Sequence, residues 1–206
     1  MSQEELLNFA KRLKSISDIG MLYSKDEYDR ERYNEIMEIS YQLMQGATGT
    51  ELSSLKELFL LNKDYPTAKV DIRALVIKDD AVLLVKESAD NKWSLPGGWA
   101  DIGYSPKEVL IKECKEETGL EVIPQKLLAI FDKRFHPHPP QAFYVYKMIF
   151  HCKAVSTDIS KGFDVLDVAY FDINNLPALS TDRILESQVK LAFEKAMMPN
   201  SEAYFD

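Results

Sequence analysis

The chain has 206 residues, of which 46% are hydrophobic, and a net charge of −8 at pH 7. That length holds one domain, or one with a small addition, and the hydrophobic share suffices for a buried core. The acidic balance argues against stable nucleic-acid binding, which needs a basic face, and no apolar run reaches the roughly 18 residues of a membrane span. The first residues, with Glu4 and Glu5, do not resemble a signal peptide. Cys114 and Cys152 fall inside predicted elements as buried free thiols, so a reducing, cytoplasmic setting is expected.

Residues 2–19 carry the pattern of an amphipathic helix. Ser2 with Glu5 makes a capping box, Leu6, Phe9, Leu13 and Ile16 form a stripe, and Gly20 is the expected stop. Ser24 with Glu27 opens a second helix, apolar at Tyr33, Ile36, Met37, Ile39, Leu43 and Met44, which Gly46 and Gly49 punctuate. A third is expected from Glu51 to Leu61. Three helices in about 60 residues make a thin core, so this segment should dock on the rest of the chain or on a second copy. Asn62 to Ala68 has the composition of a linker. The division expected is a helical domain over 1–66 and a second domain over 67–206.

The period then becomes strand-like. Val70–Ile77 and Ala81–Val85 flank Asp79-Asp80 as a hairpin, and Trp93-Ser94-Leu95 leads into a glycine pair. Further strands are expected over Lys126–Asp132, Phe143–Lys153 and Leu166–Asp172. Thr181 or Asp182 should cap a last helix carrying Ile184, Leu185, Val189, Leu191 and Phe193. Strands mixed with two helices make an α/β sandwich.

The stretch from Gly97 to Leu120 is the most informative. Ser105, Pro106 and Glu108 start a helix as N-cap, first helical residue and capping-box partner, and Gly119 closes it. Leu110, Ile111, Cys114 and Thr118 should pack on the core. Glu113, Glu116 and Glu117 lie three and four residues apart, so they are surface neighbours and repel one another. A solvated acidic face is one explanation; a hard divalent cation with oxygen ligands is the other. The nearby Gly97-Gly98 loop, which lets backbone approach a ligand closely, favours the second.

This stretch resembles the signature of the Nudix hydrolases: Gly, five residues, Glu, seven residues, then Arg-Glu-apolar-x-Glu-Glu-x-Gly-apolar. Counted from Gly98, the residues Glu113, Cys114, Glu116, Glu117, Gly119 and Leu120 match. Tyr104 stands where the first Glu belongs, and Lys112 where the Arg belongs. Lys112 keeps the charge without the planar fork, and Tyr104 loses the carboxylate. The resemblance implies the Nudix fold, a mixed sheet between helices, here with a small all-α N-terminal extension. It implies Mg²⁺ or Mn²⁺ held by Gly98, Glu113, Glu116 and Glu117, with Lys112 steadying the glutamates. The proton acceptor would be a later carboxylate, Asp164 first and Asp167 second.

The loop Arg134-Phe135-His136-Pro137-His138-Pro139-Pro140-Gln141 is the other distinctive segment. It is either a stiff connection or a substrate contact through Arg134, His136 and His138. Arg73 is a candidate phosphate ligand, and Trp99, Phe135, Tyr144 or Tyr146 could stack on a base, although strand aromatics are as often core. The loop, the helical extension and the Trp-Ser-Leu-Pro-Gly-Gly-Trp-Ala-Asp run resemble a bacterial Nudix subgroup described as ADP-ribose or CDP-choline pyrophosphatases. This likeness implies a homodimer that cuts a nucleoside diphosphate derivative to a nucleoside monophosphate and a second phosphate product. The alternatives are a non-hydrolytic nucleotide-sugar sensor, suggested by Tyr104 and Lys112, and action on nucleoside triphosphates or RNA ends.

Overall fold

The computed structural model describes residues 2–59, 65–101 and 103–206. The chain divides into two compact units, Met1–Ala68 with Pro140–Tyr144, and Lys69–Pro139 with Val145–Asp206. No helix among the described residues is long and apolar enough to cross a membrane.

The first unit holds α1 (Gln3–Tyr23), α2 (Glu27–Thr48) and α3 (Leu52–Phe59). Gly20 does not stop α1. The Tyr33 ring packs where a Gly20 side chain would stand, and the helix runs on to Ser24, whose amide donates to the Gly20 carbonyl. The cap of α2 is Asp26, which accepts the Tyr28 amide, rather than Ser24. Gly46 lies inside that helix, and Gly49, at φ 71°, ends it. The expected end of the third helix and the start of the linker fall on 60–64, outside the described residues. Leu7, Ala10, Tyr41, Met44, Ala47 and Leu55 form the core of this unit. The 140–144 segment joins it through Phe143, whose ring lies 5.4 Å from Phe59, and Tyr144, whose hydroxyl donates to the Asn8 carbonyl.

The second unit contains β1 (Lys69–Lys78), β2 (Ala81–Glu87), β3 (Trp93–Ser94), β4 (Gly97–Trp99), α4 (Pro106–Thr118), β5 (Val122–Asp132), β6 (Val145–Ala154), β7 (Val165–Asp172), α5 (Glu186–Met197) and β8 (Tyr204–Phe205). The sheet is mixed. β1 runs parallel to β6, β5 and β6 are antiparallel, and β7 is antiparallel to β2. Asp79 and Asp80 both take positive φ, the backbone of a tight two-residue hairpin turn. β5 begins earlier than expected, directly after the end of α4, and β6 begins two residues later. The last helix starts at Glu186 and not at Thr181, because residues 181–183 form a turn of their own.

Two apolar layers cover the sheet. Ile72, Ala74 and Val76 meet Val109, Leu110 and Cys114 of α4 on one face. Leu75 and Ile149 meet Val189 and Ala192 of α5 on the other. One edge of β1 is shared. β4 pairs with it at Asp71–Arg73, whereas β2 pairs at Ile77–Lys78. Between them the Ala74 amide donates to the Pro96 carbonyl, so the glycine pair is held against the middle of β1 at this fork.

Gly97 is required there. It sits at φ 134°, and a side chain would collide with the Ile72 carbonyl oxygen. Gly97→Ala is expected to lose roughly 2–4 kcal/mol in chemical denaturation. Gly46→Ala, in open space inside α2, is expected to gain roughly 0.5–1 kcal/mol by the same measurement.

Candidate active site

The acidic helix has fixed ends. Ser105 Oγ accepts the Glu108 amide, and Glu108 Oε2 accepts the Ser105 amide at 2.7 Å. Gly119, at φ 72°, donates its amide to the Lys115 carbonyl. The buried flank of α4 is Val109, Leu110, Cys114 and Thr118. Ile111, expected in that flank, is 46% exposed; Val109, nearer the cap, takes its place.

The three glutamates occupy three different environments. Glu117 is buried, and its Oε2 accepts the Gly97 amide at 2.8 Å. Glu113 is mostly buried beside Gly98, where a side chain would stand 3.3 Å from the Glu113 carboxyl carbon. Glu116 is largely exposed and accepts from Lys112 Nζ at 2.9 Å; the same ammonium lies 3.6 Å from Glu113 Oε1. Burial pushes the Glu117 carboxyl up to about 8, against the opposing pull of Arg73 and the Gly97 amide. Glu113 is raised for the same reason, and Glu116 adds like-charge repulsion. Lys112 is raised by its bond to Glu116 and its attraction to Glu113.

A hard divalent cation fits this donor set. Three carboxylates and the Gly98 backbone supply only oxygen, and the Gly98 backbone stands against Glu113 where any side chain would fill the space. Among the described residues no three acidic, histidine or cysteine side chains stand together as a ready-made cage. The charge between Glu113 and Glu116 is the Lys112 ammonium, and Glu117 is turned to Gly97.

Beneath the glycine pair lies a buried ionic network. Arg73 donates from Nε to Asp71 at 2.8 Å and from Nη1 to the Leu95 carbonyl at 2.9 Å, with Ser94 Oγ at 3.4 Å. Glu87 lies 3.8 Å from the same guanidinium and pairs with Arg183 at 2.9 Å. The second Asp71 oxygen accepts from Lys147, which is fully buried on the neighbouring position of β6. Arg73 and Lys147 together hold the Asp71 carboxyl below its ordinary range.

The remaining candidates lie as follows. Arg73 is buried, with its donors directed into the protein. Asp164 is exposed at the start of β7, on a loop tied to the end of α4 by Ser160 and Gly162 amides donating to the Thr118 and Glu117 carbonyls. Asp167 bonds the Val168 amide. Trp99 is half exposed on β4, opposite Asp71, with Lys69 Nζ 5.5 Å from its ring. Arg134 pairs with Asp132 and lies over the exposed Phe135 ring. His136 bonds Asp206, and His138 Nδ1 bonds the Thr181 carbonyl at 2.7 Å. Tyr144 belongs to the helical unit, and Tyr146 is half exposed on β6. Tyr104 is half exposed, in a turn closed by its amide on Asp101. Reading the sequence alone does not find Asp71, Glu87, Lys133, Lys147 and Arg183. The signal available was charged residues inside strands, Asp71 and Lys147 above all.

Comparison with known proteins gives this geometry a family. Residues 68–190 match the family model described as the NUDIX domain, and residues 4–59 match one described as a UDP-X-like, N-terminal oligomerisation domain. A Bacillus subtilis (strain 168) protein, provisionally named ADP-ribose pyrophosphatase YjhB, is 38% identical over 99% of this chain and 98% of its own. The ADP-ribose pyrophosphatase of Methanocaldococcus jannaschii is 30% identical over 57% of this chain and 69% of its own. The crystal structure of a UDP-X diphosphatase covers all of both chains at 30% identity with a TM-score of 0.64. That of a Streptococcus suis ADP-ribose pyrophosphatase covers 68% of this chain and all of its own, at 32% identity and a TM-score of 0.60. The NUDIX match spans well over half of the chain, which therefore belongs to the Nudix hydrolase family.

Proposed function

We propose that this hydrolase cuts the pyrophosphate bond of a nucleoside diphosphate linked to another group, of the ADP-ribose or CDP-choline type, giving a nucleoside monophosphate and a phosphorylated product. The observation that carries the reading is that Glu117 accepts the Gly97 amide and Glu113 packs on Gly98, with Glu116 tied to Glu113 through Lys112. The names of the similar pyrophosphatases support the substrate class. Gly98, Glu113, Glu116 and Glu117 are the residues that would hold Mg²⁺ or Mn²⁺, which neutralises phosphate oxygens and acidifies a bound water when present.

The chain's own groups do the rest. Asp164, anchored at the end of α4 and open to solvent, is the proton acceptor for the attacking water. Lys112 steadies Glu113 and Glu116 with a single charged centre instead of a planar fork. Arg73 holds the Leu95 carbonyl and so the approach of the glycine loop. Trp99, Arg134, His136 and His138 are the substrate contacts we assign. The buried free cysteines suit a reducing compartment such as the cytoplasm.

The helical domain over 1–66 makes the homodimer in this reading. The family match describes oligomerisation, and Phe9, Ile16 and Tyr23, spaced by seven along α1, are 60%, 41% and 68% exposed. Residues a heptad apart share one helix face.

Two measurements test these assignments. Glu116→Gln and Glu117→Gln should each reduce AMP release from ADP-ribose on the order of 10²–10⁴-fold with an unchanged melting profile, and chelation of divalent ions should abolish release in the parent protein. Phe9→Asp with Ile16→Asp should convert a dimer to a monomer by light scattering while helicity is retained; a dimer that persists removes α1 from the interface.

A further inference from the structure

The outer edge of β5 is closed by β8, and the last rung of that pairing is a side chain. β8 runs parallel to β5 and pairs with it at Ala129 and Ile130. The Asp206 amide donates to the Ile130 carbonyl, and the Asp206 carboxylate then accepts the Asp132 amide at 2.6 Å. The same carboxylate accepts from Tyr204 Oη at 2.8 Å and from His136 Nε2 at 3.0 Å. An ionised carboxylate only accepts, so Nε2 carries the His136 proton. The Asp206 side chain is 10% exposed, and a carboxylate held that far from water needs donors of this kind.

These bonds converge on a loop that adds nothing to the core. Lys133, Arg134 and Phe135 form a single 3-10 turn directly after β5, and none of them is buried. Asp132, whose amide Asp206 holds, turns its own carboxylate to Arg134, accepting the Arg134 amide at 3.0 Å and Nε at 2.9 Å. His136 is fixed on its other side by the buried Phe131, edge to face, with the ring centroids 4.9 Å apart. Arg134 and Phe135 are thereby presented to solvent in one arrangement, the guanidinium 5.2 Å from the ring centroid. A loop immobilised by polar bonds without core packing is where a rigid scaffold carries binding groups.

The register of the sheet brings this loop to the end where the candidate active site stands. Trp99 of β4 is paired with Asp71 of β1, Asp71 with Lys147 of β6, and Lys147 with Phe131 of β5. One rung further, Val70, Tyr146 and Asp132 are in line, and the Ala100 amide donates to the Val70 carbonyl. The chain after Asp132 and the chain after Ala100, which leads to α4, therefore leave the sheet at the same end. We propose that Asp206 is a positioning residue for substrate binding: through Asp132 and His136 it fixes where Arg134 and Phe135 stand. Among the described residues its bonds go to Ile130, Asp132, His136 and Tyr204, none of them on α4 or the glycine pair. Its effect is thus on how tightly substrate is held and not on the chemical step. The inference deepens the hydrolase reading and rests on it, because the loop it sets is the one assigned to substrate.

Steady-state kinetics of the full chain with Mg²⁺ test it, using whichever of ADP-ribose and CDP-choline the parent protein cuts faster. Asp206→Ala should raise KM about tenfold and leave kcat within about twofold. Tyr204→Phe removes a bond to the same carboxylate without touching the loop, and its KM should stay within about twofold of the parent value. Should Asp206→Ala fail to fold, Asp206→Asn replaces it under the same criteria; it keeps one oxygen for the Asp132 amide and lacks the charge that holds His136. An unchanged KM, a fall in kcat as large as the expected rise in KM, or a Tyr204→Phe variant as impaired as Asp206→Ala overturns the proposal. A parent that cuts neither compound loses the hydrolase reading, and calorimetry with ADP-ribose in the absence of divalent ions then decides the role of Asp206. About tenfold weaker binding by Asp206→Ala keeps it; equal affinity, or no binding by the parent, overturns it.

Discussion

The buried guanidinium of Arg73 is the interaction on which the site depends. Three carboxylates, Asp71, Glu87 and Glu117, lie within its field, and its charge lowers the cost of ionising each of them away from water. The same group caps the Leu95 carbonyl at the point where β1 exchanges one partner strand for another. A sheet that forks leaves backbone groups without ladder partners, and a planar fork of donors is suited to reach several at once. Removing one member of such a buried set typically costs about 3–5 kcal/mol, because the others remain desolvated and uncompensated. Charge placement and strand geometry are therefore one constraint here.

The acidic helix answers a different requirement. Its carboxylates must not move far, and both ends of α4 are fixed by local bonds that ask nothing of the rest of the protein. Its buried flank is pinned to the sheet through Val109, Leu110 and Cys114. Glu117 then enters the interior far enough to meet the Gly97 amide, while Glu116, one residue earlier, reaches water. The lysine at position 112 serves this gradient. A compact ammonium on a flexible stem lies between the exposed and the mostly buried acid, and exposed ion pairs of this kind are worth little.

What could be read from the sequence was local. Ser105, Pro106, Glu108 and Gly119 announce a helix because their roles involve neighbours three or four residues away, and the structure has each bond. Asp79-Asp80 announces a turn for the same reason. Ile111 misled because a flank is defined by what it packs against, and the sheet surface favoured Val109. Thr181 and Asp182 misled because a good capping residue is also a good turn residue; here the carbonyls of both are used by His138 and Lys133. Asp71 and Lys147, 76 residues apart, become partners only through the parallel register of β1 and β6. No pattern within one strand encodes that register.

The charge distribution ties the two ends of the site together. At one end, carboxylates are crowded and partly dehydrated, a state that a cation relieves. At the other, Arg73, Lys147 and Arg183 are matched by Asp71 and Glu87, and Lys133 faces Asp71 and Asp182. Arg73 and Asp71 stand between, each already paired, so neither end can neutralise the other by side-chain rearrangement.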